Sequence, residues 1–202
     1  MNKTAFAASI VVASIFAGIT PAHAQEDMPF NGPWAGAAAG YDVFTSGDDE
    51  DDSSEEGIVY GIALGYDANV RGVVIGAEAE LTESGIRAST GDVLEDGDEF
   101  TLSVARDIYA GVRIGMPVSD KMMLFAKGGY TNQRFKATYT IDDESETTGE
   151  SVDGFSLGGG IEFDLGEPFA RIEYRYSDYG SFSDADLETN RHQVMLTAGL
   201  RF

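Results

Sequence analysis

The sequence of 202 residues contains no cysteine, which excludes a disulfide framework, a thiolate nucleophile and a lipid anchor attached through cysteine. After the N-terminal segment it also lacks any run of about 18 consecutive apolar residues, so a helical membrane span is not expected. Basic residues are scarce, with 13 Lys and Arg against 35 Asp and Glu and a formal net charge of −22. Such a charge argues against nucleic acid as a partner, because the phosphates would be repelled. Hydrophobic residues nevertheless make up 43% of the chain, which favours a folded protein over a disordered one.

The first 24 residues have the composition of a secretory signal peptide. Lys3 supplies a positive charge, residues 5–19 are mostly apolar, and Ala22-His23-Ala24 has the small-x-small pattern of a cleavage site. The apolar stretch is too short to span a bilayer comfortably, so we predict cleavage before Gln25 rather than a retained membrane anchor. The sequence therefore predicts a signal peptide over residues 1–24 and one domain over residues 25–202.

The predicted domain contains eight alternating segments that are rich in glycine, alanine and aromatic residues. We place these segments at 33–44, 58–67, 73–82, 102–116, 122–140, 154–165, 169–179 and 192–202. Several reach about 10 residues, the length of a tilted strand that crosses a bilayer. Long connections (45–57, 83–101, 141–153 and 180–191) alternate with short ones (68–72, 117–121 and 166–168). This rhythm is typical of an all-β, eight-stranded antiparallel up-and-down transmembrane β-barrel, with long loops outside and both termini in the periplasm.

Most acidic residues fall within the long connections, so we expect four long acidic extracellular loops at one rim. In the first three connections the acidic residues are Asp48, Asp49, Glu50, Asp51, Asp52, Glu55 and Glu56, then Glu83, Asp92, Glu95, Asp96, Asp98 and Glu99, then Asp142, Asp143, Glu144, Glu146, Glu150 and Asp153. The run from Asp48 to Glu56 lacks the spaced Asp-x-Asp-x-Asp-Gly pattern with a closing Glu, so no metal site is predicted. A looser role stays a hypothesis, in which divalent cations bridge these loops to lipopolysaccharide phosphates.

Each segment alternates between an apolar face and a mixed polar face, as the period of two in a strand requires. In the last segment the apolar face contains Val194, Leu196, Ala198, Leu200 and Phe202, and the other contains Gln193, Met195, Thr197, Gly199 and Arg201. Tyrosines lie on the apolar face near the strand ends, where amphipathic rings form the girdles of membrane barrels. These tyrosines are Tyr41, Tyr60, Tyr66, Tyr130, Tyr174 and Tyr176.

The polar face combines small residues with nearly balanced charges, which favours an orientation toward a narrow lumen. Its glycines include Gly61, Gly65, Gly111, Gly115, Gly158 and Gly160. Its cations are Arg113, Lys127, Arg171, Arg175 and Arg201, and its carboxylates are Glu78, Glu80, Asp107, Glu162, Asp164 and Glu173. An unpaired buried ion costs several kcal/mol, and Arg or Lys facing lipid costs roughly 2–4 kcal/mol. We therefore predict that these charges pair inside the barrel while the apolar face meets lipid. A soluble exported ligand-binding barrel of the lipocalin type, with the opposite orientation, is the remote alternative.

Four groups of motifs occur in order along the domain. They are Pro33-Trp34-Ala35-Gly36 with Ala39-Gly40-Tyr41, Gly65-Tyr66 with Val74-Ile75-Gly76-Ala77-Glu78, Lys127-Gly128-Gly129-Tyr130, and Glu173-Tyr174-Arg175-Tyr176 with Gly199-Leu200-Arg201-Phe202. In this combination the chain resembles the porin-family, or opacity-type, small β-barrel proteins of proteobacterial outer membranes. It is similar to the transmembrane domain of outer-membrane protein A without the peptidoglycan-binding domain. The resemblance implies an environment of outer-membrane lipid and lipopolysaccharide, and insertion by an assembly machinery that recognises the last strand through its terminal Phe202.

No catalytic, cofactor or metal site is predicted. His192 is the only histidine of the predicted domain. No Ser follows it two positions later, as a barrel-type lipid A deacylase would need, and it has only loop acids nearby rather than the positioned carboxylates of a protease. Eight strands leave an interior that side chains fill. We therefore expect a non-enzymatic, monomeric outer-membrane barrel with a structural or surface-interaction role; a narrow porin for small solutes or ions is the alternative.

Overall fold

The computed structural model describes residues 29–46, 53–91, 98–141, 144–179 and 189–202. Within these ranges the chain forms nine β-strands: β1 (Gly32–Ser46), β2 (Ser53–Val70), β3 (Val73–Ser84), β4 (Arg87–Gly91), β5 (Glu99–Ser119), β6 (Met122–Ile141), β7 (Glu144–Asp164), β8 (Pro168–Tyr179) and β9 (Thr189–Arg201). No helix in the described part of the chain is long and apolar enough to cross a membrane. The predicted signal peptide lies outside the described residues, so its removal stays a prediction.

The strands close into a ring with eight positions. All pairings are antiparallel; β1 pairs with β2 and β9, β3 pairs with β2 and β5, and β5 to β9 each pair with their neighbour along the chain. The short β4 pairs with residues 99–103 of β5, just beyond residues 106–115, which pair with β3. It therefore continues the position of β3 after a break at Gly85 and Ile86. The architecture is the predicted eight-stranded antiparallel up-and-down barrel.

Three tight turns mark one end of the barrel, which we call the short-turn end; the opposite end is the loop end. Between β2 and β3, Arg71 and Gly72 have φ angles of 56° and 87°, the two positive values that a type I′ hairpin requires. Gly166, between β7 and β8, has a φ of 106°, and Asp120 with Lys121 separates β5 from β6. The turns lie where the sequence predicts its three short connections.

The strands extend further toward the loop end than the sequence predicts. The connection predicted at 141–153 is wrong over most of its length, because β6 continues to Ile141 and β7 begins at Glu144, opposite it. Residues 53–57, 83–84, 87–91, 99–101 and 189–191, all predicted in connections, are likewise in strands. In these extensions the hydrogen bonds between paired strands satisfy the backbone N–H and C=O groups, and no apolar face has to be buried. The residues are therefore polar and lack the alternation of apolar and polar side chains from which strands are predicted. The acidic runs 48–52 and 92–96 lie outside the described residues, as do Asp142 and Asp143.

The apolar face points outward, as predicted. Leu196 is 60% exposed and Phe202 is 73% exposed, whereas Arg171, on the opposite face, is only 2% exposed. The predicted girdle tyrosines are also turned outward; Tyr41, Tyr60, Tyr66, Tyr130 and Tyr174 are exposed and Tyr176 is partly exposed. A lipocalin-type interior would bury the apolar side chains instead, so this alternative is wrong.

Candidate functional site

The inward face of the strands brings oppositely charged side chains together in the barrel lumen. Its cations are Arg113, Lys127, Arg171, Arg175, Arg191 and Arg201, and its carboxylates are Asp42, Asp67, Glu78, Glu80, Asp107, Glu162 and Glu173. All are buried except Arg201, which is partly exposed at the short-turn end. Because side chains alternate along a strand, these residues share the lumen although they come from strands far apart in sequence. They form three clusters along the barrel axis.

The turn-side cluster joins Arg113, Arg171 and Arg201 to Asp67 and Glu162. Glu162 accepts hydrogen bonds from Arg113 Nη1 at 2.8 Å, from Arg171 Nη2 at 2.8 Å and from Arg201 Nη2 at 2.6 Å. Asp67 accepts from Arg113 Nε at 2.7 Å and from Arg201 Nη1 at 2.8 Å. Arginine suits this role because its planar fork of donors can serve two carboxylates at once. The cluster holds five strands in one fixed arrangement.

The central cluster is formed by Lys127 and Arg175 with three carboxylates. Lys127 Nζ lies 2.6 Å from both Glu78 Oε1 and Glu80 Oε1 and 3.0 Å from Glu173 Oε1. Arg175 Nη2 lies 2.5 Å from Glu80 Oε2 and 2.7 Å from Glu173 Oε1. The excess carboxylate offsets the excess arginine of the turn-side cluster, and an ion pair of 3.3 Å between Arg171 and Glu78 joins the two clusters. With five cations and five carboxylates, the two clusters together are electrically neutral, so neither excess is left uncompensated.

The loop-side cluster centres on Arg191. Its Nη2 lies 2.5 Å from Asp42 Oδ2, and its Nη1 donates to Asp107 Oδ2 and Gln133 Oε1, both at 2.9 Å. The hydroxyl of Thr131 donates a further hydrogen bond to Asp107. Asp42 and Arg191 are 149 residues apart in sequence and meet only because β9 pairs with β1 to close the ring. The cluster therefore fixes the closure of the barrel near its loop end.

An apolar cluster lies beyond the charges at each end of the lumen. At the short-turn end, Phe30 packs with Val74, Met123 and Phe125, which begin β3 and β6. At the loop end the apolar cluster contains Phe44, Ile86, Val104 and Tyr179. Aromatic rings also cover lumen arginines toward both ends. The Cζ of Arg171 lies 4.5 Å from the Trp34 ring centre, and the Cζ of Arg191 lies 4.8 Å from the Phe44 ring centre. Side chains thus fill the lumen between two apolar ends, the arrangement expected for eight strands.

Sequence reasoning identified most of the network. The predicted residues Arg113, Lys127, Arg171, Arg175, Arg201, Glu78, Glu80, Asp107, Glu162 and Glu173 are confirmed as lumen residues. Asp164 is only half-buried and accepts a hydrogen bond of 2.8 Å from the Gly166 N–H of its own turn. Asp42, Asp67 and Arg191 are lumen residues that the sequence analysis does not predict, and the predicted connection 180–191 is wrong at Arg191, which lies in β9. Strand alternation was the signal, because Asp42 shares a face with the buried Trp34 and Ala38.

His192 lies on the outer surface of β9. Its Nδ1 is 2.7 Å from the Tyr174 hydroxyl, and its ring centre is 5.2 Å from that of Tyr176. The three side chains form an aromatic group on the outer wall rather than a nucleophile with a base. Among the described residues, no group of three or more His, Cys, Asp or Glu is arranged to hold a metal ion.

Comparison with known proteins places this fold among outer-membrane barrels. The sequence family described as "Outer membrane protein beta-barrel domain" matches residues 10–202. Neisserial surface protein A (NspA) has 12% identity and a TM-score of 0.54, covering 84% of this chain and 97% of its own. Ail of Yersinia pestis has 17% identity and a TM-score of 0.47, covering 85% of this chain and 99% of its own. The N-terminal barrel of Pseudomonas aeruginosa OprF has 14% identity and a TM-score of 0.41, covering 82% of this chain and 97% of its own. No curated protein matches the chain.

Proposed function

The chain belongs to the outer membrane protein β-barrel domain family and resides in the bacterial outer membrane, and on that premise we propose that it is a non-enzymatic barrel with a closed lumen. Its role is structural and interactive: it stabilises the envelope and presents its loop end to lipid, ions and partners outside the cell. It acts as a monomer and transports no bulk solute.

The observation that carries this proposal is the salt-bridge network across the lumen. Solute passage needs a continuous water path, but Arg113, Arg171 and Lys127 each pair with carboxylates on other strands, inside the radius that eight strands enclose. Opening a path means separating buried ions, which costs several kcal/mol. The apolar clusters at both ends add a second barrier, because ions cross dry constrictions poorly.

The orientation of the barrel forms part of the proposal. We assign the loop end to the cell exterior and the short-turn end, with both termini, to the periplasm. Removal of residues 1–24 as a signal peptide would leave the new N-terminus free at the short-turn end. The exposed ring of Phe202 is available to the assembly machinery, while the Phe202 N–H donates to Pro33 O at 2.8 Å and holds the last strand in the ring.

Liposome swelling separates this proposal from a narrow porin. Proteoliposomes that contain the purified barrel are diluted into isosmotic solutions of a pentose or an amino acid, and light scattering reports solute entry. We expect swelling no faster than in protein-free liposomes, with a general diffusion porin as positive control. Swelling that decreases steadily with solute size would contradict the closed lumen and support the porin.

A further inference from the structure

The cations outside the lumen are unevenly distributed over the barrel. In the described part of the chain, two lie in the short turns, Arg71 and Lys121, and the others lie in the loop half of β4, β5 and β6, namely Arg87, Arg106, Arg134 and Lys136. In a protein with a net charge of −22, four of the six cations that the described residues place outside the lumen therefore lie in the loop half of three consecutive strands. We call Arg106, Arg134 and Lys136 the basic patch.

A β-bulge brings the basic patch together. The pairing of β5 with β6 shifts between Val104 and Asp107, so that Ala105 and Arg106 both lie opposite Arg134. The Nε2 of Gln133 donates to the carbonyls of Ala105 and Arg106 at 3.1 Å each and so holds the bulge in place. Because Gln133 Oε1 accepts from Arg191, the lumen network fixes the geometry of this outer surface. Bulges are known to redirect side chains at functional sites.

The basic patch lines a cavity of about 310 Å³ together with Glu83 and Ala105. The guanidinium of Arg134 lies beside Gly149 of β7, where a Cβ would come within 2.9 Å of Nε and Nη2. Its Nε is buried and has no hydrogen-bond partner among the described residues. Within the same residues, none of the three cations forms a salt bridge. A buried, unpaired donor on one of three cations that share a cavity with a single carboxylate indicates a site for an anion.

The height of the patch indicates which anion it meets. The outer face of β6 is apolar at Leu124 and Ala126, reaches the girdle at Tyr130, and then presents Arg134 and Lys136. Arg134 is four residues beyond Tyr130, which is about 13 Å along the strand and about 10 Å above the girdle for a tilt of about 40°. On the neighbouring strands the outward side chains also change from apolar to charged at this height. Toward the loop end, the next outward residue after Leu81 in β3 is Glu83, and the next after Ile108 in β5 is Arg106. The patch therefore lies at the level of lipid headgroups.

We propose that the basic patch binds a phosphate on the sugar headgroup of an outer-leaflet glycolipid, lipopolysaccharide. Arginine binds phosphate through two parallel hydrogen bonds and lysine through its point charge. The apolar outer wall below the patch, with Leu81 and Ile108 exposed, can contact the acyl chains of the same lipid. A free phosphate would gain nothing from that wall, so the site favours the lipid. The inference rests on the proposed function, since it requires the loop end to face the outer leaflet.

The test measures the Kd of the purified barrel in detergent for diphosphorylated lipid A, for the same lipid without phosphates, and for inorganic phosphate. The variant Arg134→Gln/Lys136→Gln removes one Arg and one Lys from the patch, and the matched control Arg71→Gln/Lys121→Gln removes the same charges from the short turns. We expect the patch variant to bind diphosphorylated lipid A at least tenfold more weakly and the control less than twofold more weakly. Dephosphorylated lipid should bind wild type as weakly as diphosphorylated lipid binds the patch variant.

Equal affinities of wild type and patch variant for diphosphorylated lipid A overturn the proposal, as does an equal loss in the control. Inorganic phosphate that competes at the same concentration as lipid A overturns the lipid assignment. A second variant, Gly149→Val, keeps every charge but displaces the Arg134 guanidinium, and it should also weaken lipid binding. Heat-modifiable gel mobility confirms that each variant is folded. Solute entry in the swelling assay refutes the closed lumen independently of these affinities, so the two failures are distinguishable.

Discussion

Glu162 is the carboxylate on which three lumen arginines converge, so its replacement by glutamine tests the network most severely. The change keeps the shape of the side chain and one acceptor oxygen but leaves Arg113, Arg171 and Arg201 with less negative charge than they need. Breaking a buried ion pair costs about 3–5 kcal/mol. Asp67 still pairs with two of the arginines, so we expect the lower end, about 3 kcal/mol, or roughly a hundredfold in the unfolding equilibrium.

The chain contains a natural reporter for this measurement. Trp34 is its only tryptophan, and its ring centre lies 4.5 Å from the Cζ of Arg171, inside the turn-side cluster. Unfolding in urea from lipid vesicles can therefore be followed by tryptophan fluorescence, with heat-modifiable gel mobility as a second readout that is insensitive to the environment of Trp34. Both readouts should give the same shift of the midpoint if the barrel unfolds cooperatively.

Glu167→Gln is the matched control, because this exposed carboxylate lies at the same end of the barrel and, within the described ranges, the residue contributes only its backbone carbonyl, which accepts from the Arg201 N–H. A surface substitution of this kind changes stability by at most about 0.5 kcal/mol. A Glu162→Gln barrel as stable as the control would show that this carboxylate does not hold the three arginines in place. Adding Arg113→Gln to Glu162→Gln should cost less than the sum of the single changes, since the two residues are paired.

Three further predictions concern packing, assembly and orientation. Gly61→Val should abolish folding, because a Cβ at this position meets a backbone carbonyl of β3. Gly85→Ala should fold, because the nearest atom to its Cβ is 3.4 Å away. A Gly61→Val protein that still shows the heat-modifiable gel mobility of a folded barrel would contradict this. Phe202→Ser should change the stability of the purified barrel by less than about 1 kcal/mol but reduce insertion in cells severalfold, and unchanged insertion would exclude the recognition role. In intact cells an impermeant maleimide should label Thr147→Cys, at the loop end, and not Asp120→Cys, at the short-turn end; the reverse pattern would invert the proposed orientation.

The fold was predictable from sequence because the outer and inner walls of a membrane barrel meet different environments. In β9, Val194 and Leu196 face out while Gln193 and Met195 face in, and this contrast gives the alternation of two on which every strand assignment depends. The short connections added independent information, since 68–72, 117–121 and 166–168 alternate with the long ones as in an up-and-down membrane barrel. Local sequence was sufficient wherever one wall meets lipid.

The partners within the lumen were not predictable in the same way. Alternation shows that Asp42 faces in, but its pairing with Arg191 depends on how β9 closes against β1. The bulge at Ala105 and Arg106 was also invisible, because it is defined by the register of β5 against β6 and not by either strand alone. Beyond the girdle, where both faces meet water, alternation disappears, and for this reason the sequence predicts a loop where residues 144–153 of β7 form a strand.

Single-channel recording in planar bilayers tests the closed, charged lumen most directly. The purified wild-type barrel should show no sustained open level at any applied voltage, and only brief, small fluctuations. Regular current steps of nanosiemens size from the wild-type monomer would mean that the arginines and carboxylates of the lumen do not close it, and would contradict the account.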